Sequence, residues 1–199
     1  MRSPERLLIC DKIDIDVWEL IHLANRHPRV NILQPGAGVG GHCIAVDPWF
    51  IVDTAPDEAR IIRMAREVND YKPEWVLEKV KAAIAETLAG KPGDCMADVK
   101  VACLGLTFKP DIDDLRESPA VEITRQIAEL GCQVLAVEPN IESLPQNLAL
   151  SNIVLRSLED AIECAAVLCI MVKHRSFVES ACDILCHSCK INAAGLAEE

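Results

Sequence analysis

The carboxy-terminal half of the sequence alternates short apolar runs with amphipathic segments, and this alternation restricts the fold more than any other feature. Runs typical of strands lie at residues 99–106, 133–137, 152–155, 165–172 and 190–192. Helical patterns lie between them, at about 118–130, 157–164 and 177–186. Strands that alternate with helices predict a parallel sheet with helices on both faces. We therefore expect an α/β, Rossmann-like doubly wound domain.

The preceding residues have a helical pattern instead. Apolar residues recur at helical spacing over 13–27, and Pro28 ends that run. A second pattern extends from residue 56 to residue 90, where Pro73 is expected to kink the helix or to start a new one. The sequence Lys-Pro-Gly-Asp that follows is typical of a helix stop. We predict a partial central helical domain at 1–91 and the α/β domain at 92–199.

Between the helical segments lies a glycine-rich stretch, Pro35–Phe50, whose backbone can approach a ligand closely. Its glycines are Gly36, Gly38, Gly40 and Gly41. The stretch presents Cys43 with His42 beside it and Asp47 four residues later, a pattern typical of a covalent nucleophile. A small buried hydrophobic residue is the alternative interpretation of Cys43.

The spacing Gly36-x-Gly38-x-x-Gly41 also matches the dinucleotide-binding fingerprint. A true fingerprint closes a strand and opens a helix. Here we expect Pro48 to prevent a helix from starting after the glycines. These glycines are therefore not expected to bind NAD.

Composition excludes several classes of protein. The formal net charge of −11 argues against binding to nucleic acid or to an anionic membrane. No apolar run approaches the roughly 18 residues that cross a bilayer. The first residues show no secretory signal, so the ten cysteines are expected to be reduced thiols in a cytoplasmic protein.

The loop Thr107–Ser118 follows the first predicted strand. In an open parallel sheet, ligands bind beyond the carboxyl ends of the strands, which places this loop at the binding edge. Lys109 and Arg116 lie there among four acidic residues, so the loop either binds phosphate or is an ordinary solvated charged loop. Glu138, after the second strand, occupies the position at which a Rossmann acid meets a ribose.

A cluster of cysteines near the carboxyl end has the spacing of a possible metal site. Cys182, Cys186 and Cys189, with His187 among them, could hold zinc or an iron–sulfur cluster. A metal site normally shows a full ligand set, and the α/β pattern continues through these residues without a break. We expect no metal there.

Two long motifs resemble the UDP-glucose/GDP-mannose dehydrogenase family. They are Pro35–Phe50 and Gly105–Pro119, in the order that the family has them. Within that family, residues 24–34 and 65–70 resemble members that act on UDP-N-acetyl-D-mannosamine. The resemblance extends over nearly the whole chain and fades after about Phe177.

The resemblance implies an oxidoreductase of polysaccharide biosynthesis that uses NAD to oxidise a UDP-sugar to its uronic acid in two steps. The sugar implied is UDP-N-acetyl-D-mannosamine. Cys43 would attack the intermediate aldehyde, and a second hydride transfer would give a thioester that water hydrolyses. Asp47 matches the family carboxylate that positions or activates this water.

The resemblance also implies binding residues. Arg29 matches an arginine that contacts substrate, and Phe108 and Lys109 match the pair that contacts UDP. Arg116 matches an arginine that reaches the NAD phosphates, and the glycines Gly36–Gly41 would wrap the substrate. A few fixed cations suffice to hold a diphosphate in an acidic protein. A homodimer through the long helices is expected.

One large difference separates this sequence from the family pattern. Family members carry a complete NAD-binding domain with a glycine fingerprint and a catalytic lysine and asparagine early in the central helix, which this sequence does not show. It resembles the carboxy-terminal half from about Leu7 onward, so we expect the chain alone to be inactive. A non-catalytic UDP-sugar-binding or dimerisation module and a metal protein are the alternatives.

Overall fold

A computed structural model describes residues 3–197 of the chain. Its sheet has five parallel strands in the order β3-β2-β1-β4-β5. The strands are β1 (Lys100–Leu104), β2 (Gln133–Val137), β3 (Ile153–Leu155), β4 (Val167–Ile170) and β5 (Lys190–Asn192). Because helices cover both faces of this parallel sheet, the predicted Rossmann-like doubly wound fold is confirmed.

Eight α-helices accompany the strands in the described range. They are α1 (Ser3–Lys12), α2 (Val17–Asn25), α3 (Asp47–Thr54), α4 (Arg60–Ala89), α5 (Pro119–Glu129), α6 (Leu158–Cys164), α7 (Arg175–Glu179) and α8 (Ala181–Cys186). Within residues 3–197, none of them combines the length and the apolar character needed to span a membrane.

The strands bury both of their faces, which explains why they read as continuous apolar runs. Successive side chains point to opposite faces of a strand. Val101 and Cys103 therefore pack in one cluster with residues of α4 and α5, while Ala102 and Leu104 pack in a second cluster with residues of α6, α7 and α8. The second half of α4 contributes Val76, Val80 and Ile84 to the first cluster. The division at residue 91 stays a prediction.

The helix predicted at 13–27 is wrong in its bounds, because α2 covers only Val17–Asn25 of this range and α1 ends before it, at Lys12. The side chain of Asp16 caps α2 by accepting the N–H groups of Trp18 and Glu19, at 2.7 and 3.1 Å. Asp14 has a φ of 55° and turns the chain between the two helices. The sequence analysis missed α1, whose Leu7 and Cys10 pack with α2.

Two expectations about proline are also wrong, namely that Pro48 prevents a helix and that a new helix starts at Pro73. The alternative of a kink at Pro73 stays a prediction. Pro48 does not prevent a helix, since α3 begins at Asp47 with Pro48 in its first turn. A first-turn N–H has no acceptor within the helix, so proline is tolerated there. Pro73 does not interrupt α4, which is one helix from Arg60 to Ala89. Buried residues on both sides of Pro73, among them Asn69 and Val76, hold that helix in place.

Candidate substrate site between two loops

The glycine-rich stretch rests on the loop between β1 and α5. A Cβ atom at Gly40 would lie 2.2 Å from the carbonyl oxygen of Glu117, and one at Gly41 would lie 3.0 Å from the Phe108 ring. Gly41 also has a φ of 88°, which favours glycine. Glycine is therefore needed at both positions, and the two motifs of the sequence form one structural unit.

Of the other loop glycines, Gly38 and Gly36 differ in their surroundings. A Cβ at Gly38 would meet the Pro119 ring at 2.9 Å, whereas a Cβ at Gly36 would meet no atom within 4 Å. The stretch is not preceded by a strand, since residues 26–41 contain none. This agrees with the expectation that these glycines are not a dinucleotide fingerprint.

Cys43 is exposed in a turn that leads into α3. Its Sγ atom lies 3.0 Å from Nδ1 of His42, within hydrogen-bonding distance for a sulfur atom. The N–H of Asp47 donates to the Cys43 carbonyl oxygen at 2.8 Å, so the cysteine and the carboxylate are one turn apart. The interpretation of Cys43 as a small buried residue is wrong.

Arg116 connects the second loop electrostatically with the cysteine turn. Hydrogen bonds from the Arg116 guanidinium and backbone N–H are the main reason that the pKa of Asp114 is lowered to about 2, with a smaller contribution from the nearby His42. Asp114 in turn raises the pKa of Arg116, with an additional contribution from Cys43. The structure therefore brings Arg116 and Asp114 into electrostatic range of His42 and Cys43.

A cleft of about 500 Å³ opens where the two loops meet the sheet. Its walls include Gly36 and Gly38, Phe108, and Val172 and Lys173 after β4. Phe108 follows β1 and Val172 and Lys173 follow β4, so this side of the cleft lies at the carboxyl ends of the strands, where ligands bind in open parallel sheets. The cleft is large enough for part of a nucleotide sugar.

Lys109 and Arg29 are both exposed, in different surroundings. The Lys109 carbonyl oxygen accepts a hydrogen bond from Thr107 Oγ1 at 2.9 Å, while its ammonium group makes no hydrogen bond or ion pair with a described residue. Arg29 follows α2, and its backbone N–H donates to His27 Nδ1. No hydrogen bond or ion pair between described residues joins the Arg29 side chain to the glycine stretch.

Asn69 holds the glycine stretch against α4, and the sequence analysis missed it. Its Oδ1 accepts the N–H of Val39 at 2.8 Å, and its Nδ2 donates to the Val39 carbonyl oxygen at 3.3 Å. Asn69 is buried on one side of α4. A polar residue within an apolar helical pattern was the feature that could have identified it.

Glu138 does not have the free carboxylate that a ribose contact needs. Its Oε2 accepts N–H groups of Leu106 and Thr107 and lies 3.0 Å from Nε2 of His174, and its Oε1 accepts from Asn140. Burial alone would raise the pKa of this carboxyl, but these hydrogen bonds outweigh burial and lower it. The ribose interpretation of Glu138 is therefore wrong.

The carboxy-terminal cysteines do not form a metal site. Across residues 3–197, no group of three or more His, Cys, Asp and Glu side chains is placed to hold a metal ion. Both ring nitrogens of His187 have backbone partners, near the carbonyl oxygens of Cys189 and Ala165. The metal-protein alternative has no support from this arrangement.

Two parts of the chain match models of known protein domains. Residues 5–71 match the central domain of the UDP-glucose/GDP-mannose dehydrogenase family, and residues 102–191 match the UDP-binding domain of the same family. The chain belongs to this family.

Relatives within the UDP-glucose/GDP-mannose dehydrogenase family are similar over most of this chain. A UDP-N-acetyl-D-mannosamine dehydrogenase from Campylobacter jejuni is 55% identical over 189 residues, which are 94% of this chain and 44% of that protein. One from Escherichia coli K12 is 58% identical over 176 residues, which are 88% of this chain and 41% of that protein. The chain thus spans less than half the length of these relatives.

A solved member of the family shows the same fold. The structure of a UDP-D-ManNAc dehydrogenase from Pyrococcus horikoshii superposes with a TM-score of 0.76 at 28% identity, covering 99% of this chain and 44% of that one. The cysteine turn and the Phe108–Arg116 loop therefore lie on a fold that this chain shares with that protein.

Proposed function

We propose that this chain carries the nucleophile and the UDP-binding half of a UDP-sugar dehydrogenase that converts UDP-N-acetyl-D-mannosamine to its uronic acid. The observation that supports this most is the contact between the two loops: Gly41, two residues before the exposed Cys43, packs on Phe108, which lines the cleft at the carboxyl edge of the sheet. The names of the relatives favour the mannosamine sugar.

In the proposed reaction, Cys43 acts on the aldehyde intermediate. The thiol sulfur forms a bond to the aldehyde carbon, His42 Nδ1 takes the thiol proton at 3.0 Å, and the former carbonyl oxygen gains a proton. Oxidation of this adduct gives a thioester, and water releases the carboxylate and regenerates the thiol. We propose that Asp47, one turn from Cys43, orients that water.

NAD, when bound, supplies the hydride acceptor for both oxidations. Arg116 fits a contact with one of its phosphates, because its guanidinium is exposed and its Nη1 atom donates to no described residue. Within residues 100–192, which contain the sheet, Gly105 is the only residue that matches a dinucleotide-binding glycine fingerprint. We therefore expect the 199-residue chain to bind UDP-sugar without oxidising it.

Phe108 and Lys109 are proposed to hold the UDP group, with Arg29 as a further substrate contact. Phe108 lines the cleft, and the unpaired ammonium of Lys109 lies on the same short turn. An ammonium that forms no internal ion pair is available to a diphosphate, to which a charge-assisted hydrogen bond is strong.

We also propose a homodimer through the helical part of the chain and a cytoplasmic location. Apolar side chains on α3 and α4 are strongly exposed, with Phe50 at 66% and Ile61 at 83%. Such a patch is typical of a protein interface. Within residues 3–197 the cysteines form no disulfide, which is compatible with the proposed location. Analytical ultracentrifugation of wild type and Ile61→Asp tests the dimer, which this substitution should dissociate.

Alkylation of Cys43 tests the proposed function without requiring turnover. Iodoacetamide labelling, quantified by mass spectrometry for each cysteine, should be slowed at Cys43 by UDP-N-acetyl-D-mannosamine. Cys164 is the control, since it is exposed at the end of α6 and lines a separate pocket with Lys100 and Gln133, at the amino ends of the strands. Equal protection of both thiols, or protection of neither, would overturn the proposal.

A further inference from the structure

A buried glutamate and a buried histidine hold the turn that carries Phe108 and Lys109. Glu138 follows β2 and His174 follows β4, so they come from strands on either side of β1. Both side chains are fully buried. Neither touches the glycine stretch through any hydrogen bond between described residues, and the proposed chemistry does not use them.

The carboxylate of Glu138 fixes the start of the turn. Its Oε2 accepts the N–H of Leu106 at 2.7 Å and that of Thr107 at 3.2 Å. The same oxygen lies 3.0 Å from Nε2 of His174. One acidic side chain therefore holds two successive backbone groups directly before Phe108.

The imidazole of His174 fixes the end of the turn. Its Nδ1 accepts the backbone N–H of Asp111 at 3.0 Å, and the Asp111 carboxylate accepts the N–H of Arg175 at 2.9 Å. Because Nδ1 accepts a hydrogen bond, the ring hydrogen lies on Nε2 and is donated to Glu138. The ring thus connects the two ends of the turn.

Lys109 lies between these two anchors. Thr107 Oγ1 donates to the Lys109 carbonyl oxygen, and the Asp111 backbone has a φ of 59°, a conformation that needs support in a residue other than glycine. We infer that Glu138 and His174 are positioning residues that hold this turn so that Lys109 meets the diphosphate of the UDP-sugar. This inference rests on the proposed function.

A double-mutant cycle measures the positioning role. UDP affinity is determined by calorimetry for wild type, His174→Phe, Lys109→Met and the double variant. His174→Phe keeps a ring of similar shape but removes both hydrogen bonds, and we expect it to weaken UDP binding about tenfold. Because His174 acts through Lys109, the double variant should bind UDP no more weakly than Lys109→Met alone.

His187→Phe is the matched control. That histidine is also bonded through both ring nitrogens, but it lies before β5, near the amino ends of the strands. It should leave UDP affinity within about twofold of wild type, as expected for an uncoupled site. Equal losses in the two histidine variants would indicate general destabilisation and would overturn the inference.

Two spectroscopic readouts separate positioning from mere stability. Nitrogen NMR of wild type should show His174 as the neutral Nε2–H form, and hydrogen exchange of the Asp111 amide should be faster in His174→Phe. Slow hydrogen exchange of the Asp111 amide in that variant would overturn the inference. Additive losses of UDP affinity in the double-mutant cycle would also overturn it. Wild type that binds no UDP would instead overturn the proposed function, while the exchange data would still decide whether His174 holds the turn.

Discussion

The two loops of the candidate site are held in different ways. The turn Thr107–Asp111 is bonded at both ends to buried side chains, Glu138 and His174, which follow the strands on either side of β1. The glycine stretch is held at Val39 by Asn69 and by close packing on Phe108, while Cys43 remains exposed.

This difference indicates that the two loops have different roles, one in binding and one in the reaction. Binding groups work best when a rigid support fixes them before the ligand arrives. A nucleophile must reach a carbon atom whose geometry changes during the reaction, so a less constrained turn suits it. We therefore predict that substitutions at the contact between the loops lower the free energy of unfolding most, and that substitution of the exposed Arg116 lowers it least.

Gly40→Ala should lower the free energy of unfolding more than the other substitutions. The new Cβ would lie 2.2 Å from the Glu117 carbonyl oxygen, a backbone atom that cannot move without shifting the loop. We expect a loss of about 3 kcal/mol in the free energy of unfolding, as for overpacked sites. Urea denaturation measures it. Gly36→Ala is the control, with no atom within 4 Å, and should change stability by less than about 0.5 kcal/mol. Equal losses would contradict the loop contact.

Asn69→Ala should have the next largest effect on the free energy of unfolding. It leaves both backbone groups of Val39 without their partner and is expected to cost about 2 kcal/mol of stability and to weaken UDP-sugar binding. Asn25 is a matched control, because it bonds both backbone groups of Ile32 in the same way. Asn25→Ala should lower stability while leaving UDP affinity unchanged, as measured by urea denaturation and calorimetry. Equal loss of affinity would contradict a specific role for Asn69.

Lys109→Met should weaken UDP binding by about tenfold, the amount expected for one charge-assisted hydrogen bond. Stability should hardly change, since the ammonium has no ion pair with a described residue. Lys81→Met, an exposed lysine on α4, is the control for loss of one positive charge. Calorimetry at two salt concentrations distinguishes a specific contact from general attraction. A loss of the same size in both variants would argue against a diphosphate contact.

Arg116→Gln should have the smallest effect on stability and is best seen by pH titration. The hydrogen bonds of Arg116 hold the pKa of Asp114 at about 2, below its ordinary value of 3.8. The resulting stabilisation is present above pH 3.8 and disappears as the pH falls towards 2. Arg116→Gln should return the Asp114 pKa towards 3.8 in a carboxyl NMR titration. An unchanged Asp114 titration would contradict the assigned pair.

Much of the sheet could be predicted from sequence, because parallel strands are buried on both faces and read as apolar runs. The predicted bounds of β2 and β5 agree with the structure. Two helices were not predicted, for different reasons. Pro48 was wrongly expected to exclude α3, although proline is tolerated in the first turn of a helix. The helix α1 depends on contacts with distant residues, such as the ion pair between Asp11 and Lys79 at 2.7 Å.

The candidate site could be predicted only in part. Cys43, Lys109 and Arg116 were predicted as candidate site residues because each lies in one of the two long sequence motifs. Glu138 and His174 are 36 residues apart, and their pairing depends on the strand order that places β2 and β4 on either side of β1. Sequence spacing carries no information about that order.

Calorimetric titration of the whole chain with UDP, UDP-N-acetyl-D-mannosamine and NAD, each alone, tests the central claim most directly. The account predicts binding of UDP and of its sugar, with NAD much weaker, in a sample shown to be folded by circular dichroism. A folded chain that binds neither UDP nor its sugar would contradict the account.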